Sequence, residues 1–191
     1  MLLEGTILRG REFEPVDGRV VIEDGEIAAV EPGDVRGDDI ILPAFVNAHT
    51  HIGDSVAKEA GEGLSLEELV APPDGLKHRI LDETPQEELV EAMTRSLSFM
   101  DAAGTATCIE FREGGVEGVR AIESAASRSA IDPIVLGRET TAAMEASDGF
   151  GASGAKDGEF TAERNATARE GKLFGIHAGE VDSGDINPAL D

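Results

Sequence analysis

The stretch Asn47–Asp54, "NAHTHIGD", is reached through the apolar run "IILPAFV" (Ile40–Val46), and its reading decides the fold. In a β-strand, residues i and i+2 point the same way, so His49 and His51 can turn both imidazoles toward one ion. Imidazole suits Zn, Fe and Ni, and a catalytic metal site keeps at least one position open for water. The H-x-H pair alone is a weak signal, since two loop histidines one residue apart are common. Its placement strengthens it. "ILPAFVNAH" reads as a buried parallel strand, apolar on both faces, and ligands bind beyond the carboxyl ends of such strands.

Downstream the pattern is strand then helix, repeated, which is the signature of βαβ units and a parallel sheet. "TPQEELVEAMTRSLSFMDAAG" (84–104) carries Leu89, Met93, Leu97 and Met100 at helical spacing, a core-facing stripe. Thr84 is expected as its N-cap, with Pro85 at the first helical position, Glu87 closing a capping box and Gly104 ending the helix. "TATCIEF" is the second strand, "GVEGVRAIESAASRS" the second helix and "PIVLG" the third strand. "DGFGASGA" holds a weak fourth strand, "TAERNATAREG" is a helix and "KLFGIH" the fifth strand.

Upstream, "LLEGTIL" and "GRVVIEDGEIAAVEP" read as short strands, the latter two runs joined at Asp24-Gly25, a strong hairpin signal. Two domains follow: residues 1–43, a set of strands, and residues 44–191, the strand-helix series. That series holds five β-α units, whereas a closed parallel barrel needs eight and typically ~250 residues. The fold is therefore an open sheet or the front part of a longer barrel protein.

The last strand supplies a third histidine. His177 in "FGIHAGE" ends an apolar strand and falls on the same face as His49 and His51, with Glu180 three residues on. A carboxylate there can take a proton from an activated water and pass it to a leaving nitrogen. Lys77, His78 and Arg79 in "GLKHRIL" form a basic island that suits either an anionic substrate group or a solvated helix turn. Glu110 and Arg112 in "EFREGG" follow the second strand on the ligand-binding side, where either can contact substrate or the two can pair. Cys108 has no basic neighbour and reads as a buried structural thiol. "GFGASG" is no phosphate loop, because no Lys-Ser/Thr follows in the required spacing.

Composition narrows the partners. The chain has 191 residues, 40% of them hydrophobic, enough for a globular core. With no Trp, no Tyr and 7 Phe, that core must be built from Ala, Val, Leu and Ile. Against 16 basic residues stand 39 acidic ones, a net of −23, spread along the chain rather than gathered in a tail. So charged a chain repels itself at low salt and suits concentrated ions, as in the Lys-poor cytosolic proteins of salt-loving archaea, which it resembles. The same charge argues against nucleic acid and against anionic membranes as partners. The single cysteine rules out an internal disulfide, the N-terminus carries charges where a signal peptide needs an apolar stretch, and no window approaches a ~20-residue membrane span. The expectation is a cytoplasmic protein acting on a small molecule, with a homodimer as the default assembly.

"EGTILRG…GRVVIEDGEIAAVEPG", "LPAFVNAHTHIGD" and "HAGE" after a fifth strand together resemble the N-terminal part of a metal-dependent hydrolase of the amidohydrolase superfamily. The resemblance implies a TIM-type (β/α)8 barrel with a small β-sandwich, to which the N-terminal strands contribute. It implies one divalent metal, Zn or Fe, held by His49, His51 and His177, with Glu180 as the H-x-x-E proton shuttle of the cytosine and guanine deaminase branch. The implied reaction is hydrolysis of a carbon-nitrogen bond other than a peptide bond, with deamination of a nucleobase-like heterocycle as the leading form. Opening of a cyclic amide, removal of a ring substituent, or a truncated metal-binding chain without turnover are the alternatives. The family takes a further histidine after its sixth strand and an aspartate after its eighth, and neither strand lies in this chain. Binuclear members carry a carbamylated lysine after the fourth strand; Lys156 lies near there, behind a Gly-rich turn beside Asp157, and reads instead as a surface lysine.

Overall fold

Asp24 and Gly25 form the expected hairpin because both adopt the positive φ of a two-residue primed turn, +51° and +84°. In a computed structural model, which describes residues 1–70, 75–155 and 160–179, this turn joins β2 (Glu14–Glu23) to β3 (Glu26–Pro32). β1 (Leu2–Arg9) pairs antiparallel with β2, and the short β4 (Ile40–Ile41) lies parallel to β1, giving a sheet of order β3-β2-β1-β4. Ile7 and Val20 are its buried apolar residues. These strands belong to one compact unit, Met1–Ala44; the second is Phe45–Asp191.

The apolar run "IILPAFV" is not one strand. Ile40 and Ile41 pair with Thr6 and Ile7 in the first sheet, and Pro43, which lacks a backbone N–H, stands between them and β5 (Phe45–Thr50) of the second. Nor is β5 buried on both faces as its composition suggests. It is an end strand of its sheet, with Phe45 57% and Val46 60% exposed.

Among the described residues, the second unit is built on five parallel strands: β5, β6 (Thr105–Arg112), β7 (Ile134–Gly137), β8 (Gly149–Ala152) and β9 (Leu173–Ile176). Their spatial order is their chain order. Right-handed crossovers that always step in one direction place every connecting helix on one face, which is barrel winding rather than the double winding of an open sheet. The strands are thus part of a TIM-like barrel. After β5 come a 3-10 helix (Ile52–Ala57), α1 (Leu66–Val70), α2 (Leu76–Glu83) and α3 (Gln86–Ala102). The later connections carry α4 (Gly115–Ala126), α5 (Thr141–Glu145) and α6 (Phe160–Arg169).

On the helix side, Met93 and Leu97 of α3 and Val119, Ile122 and Ala125 of α4 meet Cys108 of β6 and Val135 of β7. Leu89 and Met100 pack at the margin of the same core, as their helical spacing predicts. Met144, Phe150 and Phe160 form a second cluster with Phe174 and Ile176 beside it. The α3 start differs from expectation. Thr84 donates its hydroxyl back to the Ile80 carbonyl (2.6 Å) and closes α2, so α3 begins at Gln86 behind Pro85 without a side-chain cap. With α2 only two residues upstream, the Thr84 side chain satisfies that helix's C-terminal carbonyl instead. Gly104 ends α3 as expected, at φ +81°.

Alternation sets the other face. Cys108 of β6 points to the helices, so Phe111, three residues on, points away from them. A Cβ at Gly151 would stand 2.7 Å from the Phe111 ring and one at Gly175 2.6 Å from it. Glycines in the fourth and fifth strands are therefore what leave room for Phe111 on the inner face.

Candidate metal centre

His49 lies near the end of β5, His51 just past it, and His177 just past β9. Strands at opposite ends of the sheet thus deliver three imidazoles to one place, each offering a ring nitrogen within 4.8 Å of the others. Phe111 is the platform beneath them, its centroid 4.5 Å from His49, 5.7 Å from His51 and 4.8 Å from His177.

The ring nitrogens are oriented by what lies behind them. His177 Nδ1 is 2.9 Å from the Ala152 carbonyl, and His51 Nδ1 is 3.0 Å from Glu113 Oε1. A carbonyl and an ionised carboxylate only accept, so both Nδ1 atoms carry the proton. In neutral rings both Nε2 atoms then present lone pairs, and they face each other at 3.0 Å. Two lone pairs at that distance repel unless a cation lies between them. Two imidazoles on one tetrahedral zinc, at ~2.0–2.1 Å each, bring their nitrogens to about 3.3 Å. The residues fit a divalent ion.

Glu113 is the hub behind the histidines. Besides His51 it accepts from Lys77 Nζ (2.8 Å) and Arg138 Nη1 (2.9 Å), and its side chain is only 5% exposed. Burial pushes the Glu113 carboxyl up, but the His51 hydrogen bond and the charges of Lys77 and Arg138 outweigh it and hold the group well below the usual carboxylate range. Lys77 also pairs with Asp54 (2.8 Å), and Arg138 Nη2 donates to Ser153 Oγ (2.5 Å).

Glu110 sits three residues earlier in a different environment. Fully buried, it accepts from Thr50 Oγ1 (2.7 Å) and from the Ile52 amide (2.9 Å), the residues on either side of His51. Burial pushes its carboxyl up to about 7, with Arg112 opposing. Of the two readings of Glu110 and Arg112, the geometry shows the pair: Arg112 Nη1 lies 3.6 Å from Glu110 Oε1, and Arg112 Nε donates to the Glu113 carbonyl at 2.8 Å. Gly53 matters here, since a Cβ there would run into the Arg112 guanidinium.

The basic island is split by its helix. Lys77 turns inward to Glu113, Arg79 faces solvent, and His78 Nε2 lies 3.1 Å from the Val70 carbonyl. His78 also lines a cavity of about 170 Å³ among α2, α3 and α4, together with Met93 and Arg112. Cys108 is fully buried, and burial pushes its thiol up to about 11, which leaves it unreactive. Glu180 and Lys156 lie outside the described residues. Glu113 and Arg138 were not singled out from the sequence, although each directly follows the carboxyl end of a strand; that rule, applied to every strand, finds both.

Residues 40–188 match the Amidohydrolase family, and the chain belongs to it. It is 40% identical over 92% of its length to a Methanothermobacter thermautotrophicus protein named "Putative aminohydrolase", covering 53% of that protein. A protein of the same name from Archaeoglobus fulgidus is 33% identical over 91% of the chain, which covers 52% of that relative. The chain thus spans about half the length of the relatives it matches. Among solved structures, 5-methylcytosine deaminase from Klebsiella pneumoniae, liganded with phosphonocytosine, superposes with TM-score 0.75 at 15% identity over 99% of this chain and 54% of that one. Atrazine chlorohydrolase from Arthrobacter aurescens, complexed with zinc, gives 0.68 at 14% over 99% and 55%. Among the described residues, no helix is long and apolar enough to cross a membrane.

Proposed function

We propose that this chain belongs to a metal-dependent hydrolase of carbon-nitrogen bonds other than peptide bonds, deaminating a nucleobase-like heterocycle. The observation that carries this is the convergence of three histidines whose ring nitrogens lie within 4.8 Å of one another, His51 Nε2 and His177 Nε2 being 3.0 Å apart. His49, His51 and His177 would hold one Zn or Fe ion, whose part is to activate water for attack on an amidine-like carbon. Glu113 and the Ala152 carbonyl keep the two Nδ1 protons in place, so that His51 and His177 present their Nε2 atoms. Glu180, three residues after His177, is assigned the proton transfer from the attacking water to the departing nitrogen. Glu110 and Arg112 serve as buried support for the end of β5, with any contact to substrate left to His78 and the loops around it.

The deaminase reading takes support from a structural neighbour that is a 5-methylcytosine deaminase, and the ring-substituent alternative from another that is an atrazine chlorohydrolase. Half coverage of the relatives, together with the exposed apolar residues of β5, supports a catalytic unit that includes strands beyond those described here. A second sheet completing a sandwich with β1–β4 belongs to the same proposal, as do a homodimer, a cytoplasmic location and a salt-rich interior like that of haloarchaea, the last resting on the net charge of −23.

The test is metal content per chain, by mass spectrometry of protein purified in high salt without chelator. About one Zn or Fe per chain, lost in His49→Ala, is expected; no metal in the wild type would sink the metal-centre reading. Ammonia release across a panel of aminated heterocycles, cyclic amides and ring-substituted triazines then separates deamination from the alternatives.

A further inference from the structure

We infer that Glu113 is the positioning residue of the metal centre: it holds His51 as the Nδ1–H tautomer with its ring aimed at His177, and is itself locked by Lys77 and Arg138. The inference rests on the metal-centre reading above and adds to it a residue whose removal should weaken the metal without touching it. Three observations carry it. Glu113 Oε1 is 3.0 Å from His51 Nδ1, so the proton it receives fixes which nitrogen faces the centre. The same oxygen accepts from Lys77 Nζ at 2.8 Å and Arg138 Nη1 at 2.9 Å, which reach it from α2 and from the end of β7. A carboxylate gripped from two sides cannot swing away, and its burial excludes water that would compete for His51.

His51 is also fixed through its backbone. Glu110 binds the Thr50 hydroxyl and the Ile52 amide, so two glutamates three residues apart grip the same histidine, one by its flanking residues and one by its ring. Partners that orient a ligating imidazole typically change metal affinity 10–100-fold when removed. The competing account is that Glu113 only neutralises Lys77 and Arg138, in which case its loss lowers stability and leaves the histidines indifferent.

The experiment uses the full chain. Zinc affinity is measured by competition with a chromophoric chelator for wild type, Glu113→Ala and Glu113→Gln. Folding is checked by circular dichroism, and long-range ¹H–¹⁵N spectra of the four imidazoles report tautomers with and without zinc. The expected result is about a 10–100-fold weaker Kd for Glu113→Ala, with most of it recovered in Glu113→Gln, whose amide oxygen can still accept from Nδ1. In metal-free wild type the His51 proton should sit on Nδ1, and in Glu113→Ala it should spread over both nitrogens. Unchanged zinc affinity in a folded Glu113→Ala would overturn the inference. So would wild-type His51 carrying its proton on Nε2, an outcome that needs no variant to fold. If wild type takes up no zinc, the metal-centre reading falls, while the metal-free spectra still decide what Glu113 does to His51.

Discussion

One face of the five-stranded sheet presents Cys108, Val135 and Phe150 to the helices; the other presents Phe111, Leu136, Gly151 and Gly175 beneath the histidines. Both faces come from the same period-two alternation along the same strands. The helix side is filled by aliphatic side chains from two layers and holds the fold together. The inner side is kept deliberately small in β8 and β9, so that one ring, Phe111, can sit under His49 and His177. Stability is concentrated on one side of a strand and positioning on the other, one residue apart.

The sharpest way to break this division is Leu97→Ala. Leu97 is fully buried against the helix-side core, and the truncation should cost about 2–5 kcal/mol in urea denaturation. Zinc affinity of the protein that remains folded should be unchanged. A loss of affinity matching the loss of stability would mean the two faces are not separable.

Glu110 and its partner Arg112 are the polar exceptions on the helix side of β6, and Glu110 gives a pH signature. Its folded value of about 7 lies above the ordinary 4.5, so below 4.5 it is protonated folded or unfolded and contributes nothing. Between 4.5 and 7 the unfolded chain releases the proton that the folded one keeps, so stability falls as pH rises through that window. The loss amounts to about 3 kcal/mol at pH 8, from 1.36 kcal/mol per unit. Glu110→Gln keeps an acceptor for Thr50 and Ile52 and should flatten this part of the profile. Equal slopes for wild type and variant between pH 5 and 8 would show that Glu110 stays ionised.

Gly151→Ala should cost less stability, about 1–3 kcal/mol from overpacking, yet change the site more. Its Cβ would press on Phe111 at 2.7 Å and tilt the platform under the histidines. Weaker zinc binding at modest destabilisation is the expected pairing, opposite to that of Leu97→Ala. The smallest effect belongs to neither face. Arg120 and Glu117 form an ion pair on the exposed side of α4, with side chains 64% and 67% exposed, and Arg120→Ala should move stability by no more than about 0.5 kcal/mol.

What the sequence determined by itself was most of what short-range order carries, the Thr84 cap, taken over by the end of α2, being the exception. The Asp24-Gly25 turn, the α3 stripe from Leu89 to Met100, the strands around Cys108 and Val135, and the placing of His49, His51 and His177 at or just past strand ends all follow from periodicity and local backbone preference. Even the weak strand in "DGFGASGA" was legible, although the reason for its glycines was not, because Phe111 lies some forty residues away in the chain.

Tertiary structure alone decided the pairing of charges and the division of "IILPAFV" between two sheets. Within "EFREGG" nothing local says that Glu113 rather than Glu110 meets a histidine, since its partners His51 and Lys77 lie 62 and 36 residues upstream and Arg138 lies 25 downstream. Lys77 looked like one of three equivalent surface cations until the α2 helix turned it inward. The meeting of His51 and His177 spans 126 residues. Hydrophobic period is a property of a few neighbouring residues. Which ion meets which depends on long-range packing, because a buried charge is tolerated only where the whole fold brings it a partner.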